Sequence, residues 1–106
     1  MGISTHVLDT AQGRPVAELR VGLSVRDGGR WEPVGIATTD ADGRVAELLG
    51  DPAAGTYRLR FEVGAYLGAD GFYPEVTVVF RVVDPSQHYH VPLLLSPFGY
   101  STYRGS

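Results

Sequence analysis

The chain has no cysteine and no lysine among its 106 residues. The first absence removes disulfides, thiolate metal sites, iron–sulfur clusters and a cysteine nucleophile together. The second makes all nine basic residues arginine, which excludes a Schiff-base lysine and a P-loop lysine. Twelve acidic residues outnumber them, for a net charge of −3 at neutral pH. With an isoelectric point near 5.5, that balance offers no footprint for nucleic acid or an anionic membrane. No apolar run approaches the roughly 18 residues of a membrane span. The most apolar window, Val76–Val83, contains Arg81. Met1-Gly2-Ile3-Ser4-Thr5-His6 lacks the basic and long apolar regions of a secretory signal. It also misplaces the Ser/Thr of a myristoylation site. A cytoplasmic protein is expected.

What is present is an ordinary globular composition, 43% hydrophobic and 20% charged, in a length that suits one domain over residues 1–106. No linker, low-complexity tract or repeat divides it. Strand-like alternation broken by turns recurs instead. Leu19, Val21, Leu23 and Val25 alternate with Arg20, Gly22, Ser24 and Arg26 before Asp27-Gly28-Gly29. Tyr57, Leu59, Phe61 and Val63 alternate with polar residues, as do Val76, Val78, Phe80 and Val82 with a more mixed set. Weaker strands are predicted at Ile3–Asp9, Trp31–Thr39, Val45–Leu48, His88–Leu95 and Tyr100–Arg104. Turn residues at Gln12–Pro15, Asp42-Gly43, Asp51-Pro52 and Pro97–Gly99 fit between them. Only Gly64–Asp70 has helical spacing, and its glycines restrict it to a turn or two. An all-β, antiparallel β-sandwich of about eight strands with one short helix follows.

Alternation also assigns faces. Tyr89, Val91, Leu93 and Leu95 should point into the core, which leaves His88, His90, Pro92 and Leu94 outside. Near the N-terminus, Ile3, Thr5 and Val7 oppose Ser4, His6 and Leu8. A surface mixing histidine with this much apolar area is expected to be covered by a partner subunit.

The three histidines are the first candidates for chemistry. His88 and His90 share a strand face, with Cα atoms roughly 6–7 Å apart. Together with His6 they could form a three-histidine zinc site, although His-x-His is a common pattern and the third ligand is distant in the chain. The metal-free alternative uses histidine as a general base, its ordinary pKa of about 6.5 suiting neutral pH. Such a base needs a partner for the anion it creates, and Arg44, just after the Asp42-Gly43 turn, has the fixed donors for that task. The bland reading of Arg44 is a solvated turn residue. The C-terminal stretch is rich in donors, among them Tyr100, Ser101, Tyr103, Arg104 and Ser106, which suggests a docked tail.

Two motifs fail. Thr38–Gly43 imitates the start of an EF-hand loop, but its twelfth position falls on Leu49 and no bidentate glutamate is available. Gly64, Gly68 and Gly71 do not make a dinucleotide fingerprint.

The opening Ser4-Thr5-His6-Val7-Leu8-Asp9-Thr10 with Gly13-Arg14-Pro15 resembles that of the transthyretin-like 5-hydroxyisourate hydrolases. The run His88-Tyr89-His90-Val91-Pro92-Leu93-Leu94-Leu95-Ser96-Pro97 and the terminal Tyr103-Arg104-Gly105-Ser106 resemble that family's C-terminal signature. Thr39–Arg44 is similar to its central arginine loop, so the resemblance runs through the whole chain in order. It implies a transthyretin-like sandwich assembled as a homotetramer, a dimer of dimers with active sites where dimers meet. It implies hydrolysis of 5-hydroxyisourate in urate degradation, without metal or other cofactor. His6, Arg44 and His90 match the catalytic positions, with His6 and Arg44 also binding substrate. Tyr103 matches a substrate-binding position, Ser106 closes the same tetrapeptide, and His88 is left as a support for its neighbour. Which histidine is the base stays open at this stage. A hydrophobic-ligand carrier and a metal-dependent hydrolase are the rival readings.

Overall fold

A computed structural model describes residues 2–106. The strands are β1 (Gly2–Asp9), β2 (Arg14–Pro15), β3 (Arg20–Asp27), β4 (Arg30–Thr38), β5 (Arg44–Leu49) and β6 (Gly55–Phe61). The short helix α1 (Val63–Leu67) and a 3-10 turn (Gly68–Asp70) follow, then β7 (Val76–Val82), β8 (His88–Ser96) and β9 (Gly99–Thr102). One sheet runs β2-β1-β8-β9, with β5 also pairing β1; the other runs β4-β3-β6-β7.

The two sheets enclose one core because alternate residues on each strand are apolar. Ile3 and Val7 from β1 and Leu93 and Leu95 from β8 are fully buried. From the other sheet, Val21, Leu59 and Phe61 meet them. Thr5 is buried among these residues at no cost in lost hydrogen bonding, since its hydroxyl donates to the Val91 carbonyl at 2.7 Å. The sandwich and the short helix are those expected, with strand ends shifted by a residue or two.

Three details depart from the alternation pattern, each for a physical reason. β1 and β8 pair in parallel, whereas every other pairing is antiparallel. Parallel neighbours need a long crossover, and here the whole second sheet supplies it. Arg14-Pro15, expected in a turn, forms a two-residue strand against Leu8-Asp9. The turn lies earlier, where Asp9 Oδ1 accepts the N–H groups of Ala11 and Gln12, both at 2.9 Å. The last strand stops at Thr102 rather than Arg104. Pro92, the next residue of β8 on that side, has no N–H to continue the ladder. Its carbonyl is taken by the Thr102 hydroxyl at 2.7 Å. The tail leaves the sheet there and returns three residues later, where the Gly105 N–H donates to the His90 carbonyl at 2.7 Å. Among the described residues no helix is long and apolar enough to cross a membrane.

Candidate active site

Register gathers the candidate residues on the outer face of the first sheet. Ser4 lies beside His90 and Gly2 beside His88 across the β1–β8 pairing, while His6 lies beside Arg44 across β1–β5. Residues two apart on a strand share a face. Ser4 and His6 therefore stand on one surface with His88 and His90, and Arg44 flanks them. A shallow hollow of about 240 Å³ opens here, lined by Ser4, Arg44, Ala46, His88, His90 and Ser106. A larger hollow of about 540 Å³ lies on the other sheet and contains no histidine. Two of its arginines are paired with carboxylates, Arg20 with Glu62 and Arg60 with Glu75. Titratable groups converge in the smaller one.

Arg44 owes its place to a tight turn. Asp40 Oδ1 accepts the N–H groups of Asp42 and Arg44, each at 2.9 Å. Gly43 follows with φ of 76°, and a Cβ there would come within 2.5 Å of the Val7 carbonyl oxygen. Only glycine meets both demands. The same turn aims the Asp42 carbonyl at His6, whose Nε2 lies 2.9 Å away. A carbonyl can only accept, so His6 carries its proton on Nε2. The Arg44 guanidinium enters no ion pair among the described residues and remains exposed.

His90 is held from two sides. Its Nδ1 lies 2.8 Å from the Ser4 hydroxyl, and the same hydroxyl lies 2.7 Å from Nε2 of His88. On the opposite edge of the ring, a Cβ added at Gly105 would stand 2.5 Å from Cδ2. The tail is thus closed over the imidazole at a residue with no side chain. His90 Nε2 makes no hydrogen bond to any described residue. Burial holds the His90 pKa below the ordinary histidine value, and the charges of Arg44, His6 and His88 lower it further. A half-buried, neutral imidazole beside an unpaired guanidinium is the combination that water activation and oxyanion stabilisation require.

The structure thus brings His6, Arg44 and His90 together, with Ser106 on the rim. It does not bring Tyr103 with them inside one chain. Tyr103 is 57% exposed and lines a separate apolar groove with Val78, Phe80 and Val91. Ser4 and Gly105 were not singled out by sequence as site residues. Alternation alone placed Ser4 on the histidine face, but no pattern within one chain announces a serine shared by two imidazoles. No group of three histidine or acidic residues among those described is arranged around a common metal position. His6 Nε2 is engaged by the Asp42 carbonyl and His88 Nε2 by the Ser4 hydroxyl.

Comparison with known proteins gives a consistent result. Residues 3–105 match the HIUase/Transthyretin family. A 5-hydroxyisourate hydrolase of Caulobacter vibrioides is 46% identical over 113 residues, covering 99% of this chain and 98% of that protein. The solved 5-hydroxyisourate hydrolase of Klebsiella pneumoniae superposes with a TM-score of 0.87 at 35% identity, each chain fully covered. Sea bream transthyretin, solved in complex with thyroxine, gives a TM-score of 0.92 at 31% identity over 99% of this chain and 95% of that one. The backbone therefore does not separate the hydrolase from the transthyretin.

Proposed function

The chain belongs to the HIUase/Transthyretin family, and from that premise we propose that it is a 5-hydroxyisourate hydrolase, opening a ring amide to 2-oxo-4-hydroxy-4-carboxy-5-ureidoimidazoline in urate degradation. The observation that carries the reading is the pairing of a depressed, Nε2-unengaged His90 with an unpaired Arg44 in one hollow. A carrier has no use for a neutral base beside a free cation, because apolar pockets hold few polar groups.

The roles follow from the protonation each contact permits. Neutral His90 takes a proton from water at Nε2 as the water oxygen bonds to a ring carbonyl carbon. Arg44 meets the oxyanion that develops. Collapse of the tetrahedral species breaks the carbon–nitrogen bond, and the His90 imidazolium returns its proton to the departing ring nitrogen. His6, its Nε2–H tied to Asp42, presents Nδ1 as an acceptor for a substrate N–H or hydroxyl. Arg44 and His6 bind as well as act, and Ser106 closes the rim. This scheme assigns no step to a metal or organic cofactor.

We further propose a homotetramer, a dimer of dimers in the cytoplasm, in which residues 1–106 act as one hydrolase domain. The apolar side chains Ile36, Val79, Val83 and Phe98 are each more than half exposed. The edge strands β4, β7 and β9 also have unpaired backbone, which a lone sandwich rarely leaves open. Tyr103 contacts substrate in this arrangement only where a second copy closes the hollow.

The test generates 5-hydroxyisourate with urate oxidase and follows its ultraviolet decay with and without this protein, in excess chelator. Acceleration that survives the chelator is expected. Decay at the spontaneous rate, together with tight binding of an aromatic hydrophobic ligand, would favour the carrier. A tetrameric mass by light scattering is expected at micromolar concentration, and a monomer would remove the assembly from the account.

A further inference from the structure

Ser4 presents a single hydroxyl proton to two imidazole nitrogens, His88 Nε2 at 2.7 Å and His90 Nδ1 at 2.8 Å. The serine is almost wholly buried, at 6% exposure, and the two rings are nearly parallel, 19° apart with centroids separated by 6.5 Å. One hydroxyl proton can serve only one of the nitrogens, so the tautomers of the two histidines are linked. If Ser4 donates to His90 Nδ1, then His90 carries its proton on Nε2 and cannot act as a base there. If Ser4 donates to His88 Nε2 instead, His90 must donate its Nδ1–H to the serine, and its Nε2 is bare.

We propose that Ser4 and His88 are positioning residues that fix His90 in the Nδ1–H tautomer, leaving Nε2 as the proton acceptor. The inference rests on the hydrolase reading above for its consequence in catalysis, though not for the tautomer itself. Several features favour the second arrangement. His88 is exposed and, among the described residues, its ring makes no other hydrogen bond, so its Nε2 is open to receive the serine proton while solvent satisfies Nδ1. Its backbone is fixed independently, the Arg104 guanidinium donating to the His88 carbonyl at 3.2 Å. The charged and titratable groups around His90 are His6 on β1, Arg44 on β5 and His88 on β8. Arg44 is a fixed cation, so it disfavours protonation of His90. The Gly105 contact lies against carbon rather than nitrogen and leaves the choice of tautomer open. Among the described residues, Ser4 alone makes a hydrogen bond to a ring nitrogen of His90.

The test uses the intact protein and two independent readouts. Nitrogen-15 spectra of histidine-labelled protein, without substrate at a pH above the His90 transition, report the tautomer. Wild type should show His90 protonated at Nδ1. Ser4→Ala and His88→Leu should each shift His90 toward the Nε2–H form and lower kcat about tenfold with KM little changed, the scale of one lost hydrogen bond. The acid limb of the kcat–pH profile should move in both. His88→Gln, which keeps an acceptor near the old Nε2, should recover most of what His88→Leu loses. The leucine variant alters an exposed side chain, so it keeps the proposal testable should Ser4→Ala misfold. A wild-type spectrum with His90 protonated at Nε2 overturns the proposal. Unchanged spectrum and kcat in both variants do the same. If wild type proves not to hydrolyse 5-hydroxyisourate, the functional reading fails while the spectra still decide the tautomer.

Discussion

Substituting Gly105 by alanine perturbs the site through geometry alone. An added Cβ would stand 2.5 Å from His90 Cδ2, 3.2 Å from Cγ and 3.4 Å from its Cβ. Comfortable carbon–carbon contact begins near 3.5 Å, so about 1 Å must be found between ring and tail. The ring cannot yield freely, because a shift away from Gly105 drives Nδ1 against Ser4, already 2.8 Å away. If the tail yields instead, the Gly105 N–H to His90 carbonyl bond of 2.7 Å is lost, and Ser106 leaves the rim with it. Misplacement on that scale at a reacting group costs up to about 100-fold in rate. Gly105→Ala should therefore lower kcat on 5-hydroxyisourate by about 10- to 100-fold, measured by ultraviolet decay. Its melting temperature should stay within a few degrees of wild type, since no residue of the hydrophobic core moves. Wild-type turnover would show that the tail does not constrain His90, and the derivation of its position would be wrong.

Removing the charge with Arg44→Gln should cost about 10²- to 10³-fold in kcat. It should also raise the acid limb of the activity profile, because one of the charges that hold down the His90 pKa has gone. Stability should respond to pH through the same histidine. Its pKa is lower folded than unfolded, so near and below about pH 6.5 the unfolded chain binds more protons. The melting temperature should accordingly fall as pH is lowered through that range, and less steeply in His90→Asn; equal slopes would deny His90 a depressed pKa. Tyr66→Phe removes a 2.6 Å hydrogen bond from helix α1 to the buried Asp9 carboxylate. A cost of about 1–3 kcal/mol by urea denaturation is expected, with turnover retained.

The parts of this molecule readable from sequence are those governed by local periodicity. Alternation placed Tyr89, Val91, Leu93 and Leu95 inside, and they are buried. Of the four residues expected outside, His88 is exposed, His90 and Leu94 are half-buried and Pro92 is buried. Asp42-Gly43 announced the turn before Arg44, whereas the part played by Asp40, which accepts the Asp42 and Arg44 N–H groups, emerges only in the structure. The site itself was legible only as three separated fragments. Bringing His90 beside Ser4 depends on the parallel β1–β8 pairing, which no two-residue period encodes. The shared serine and the glycine packed on the ring arise from contacts between residues more than 80 and about 15 positions apart, respectively. Tyr103 illustrates the converse. The resemblance of its motif implies a place at the substrate, yet within one chain it lines a separate groove.

The central claim is that the free ring nitrogen of His90 activates water. His90→Asn tests it most directly, since the shorter amide keeps a donor near Nδ1 for Ser4 while deleting Nε2. The account predicts a folded protein of unchanged assembly whose kcat/KM on 5-hydroxyisourate falls by at least about 10²-fold, the typical worth of a positioned base. A folded His90→Asn protein that turns over substrate at the wild-type rate would contradict it.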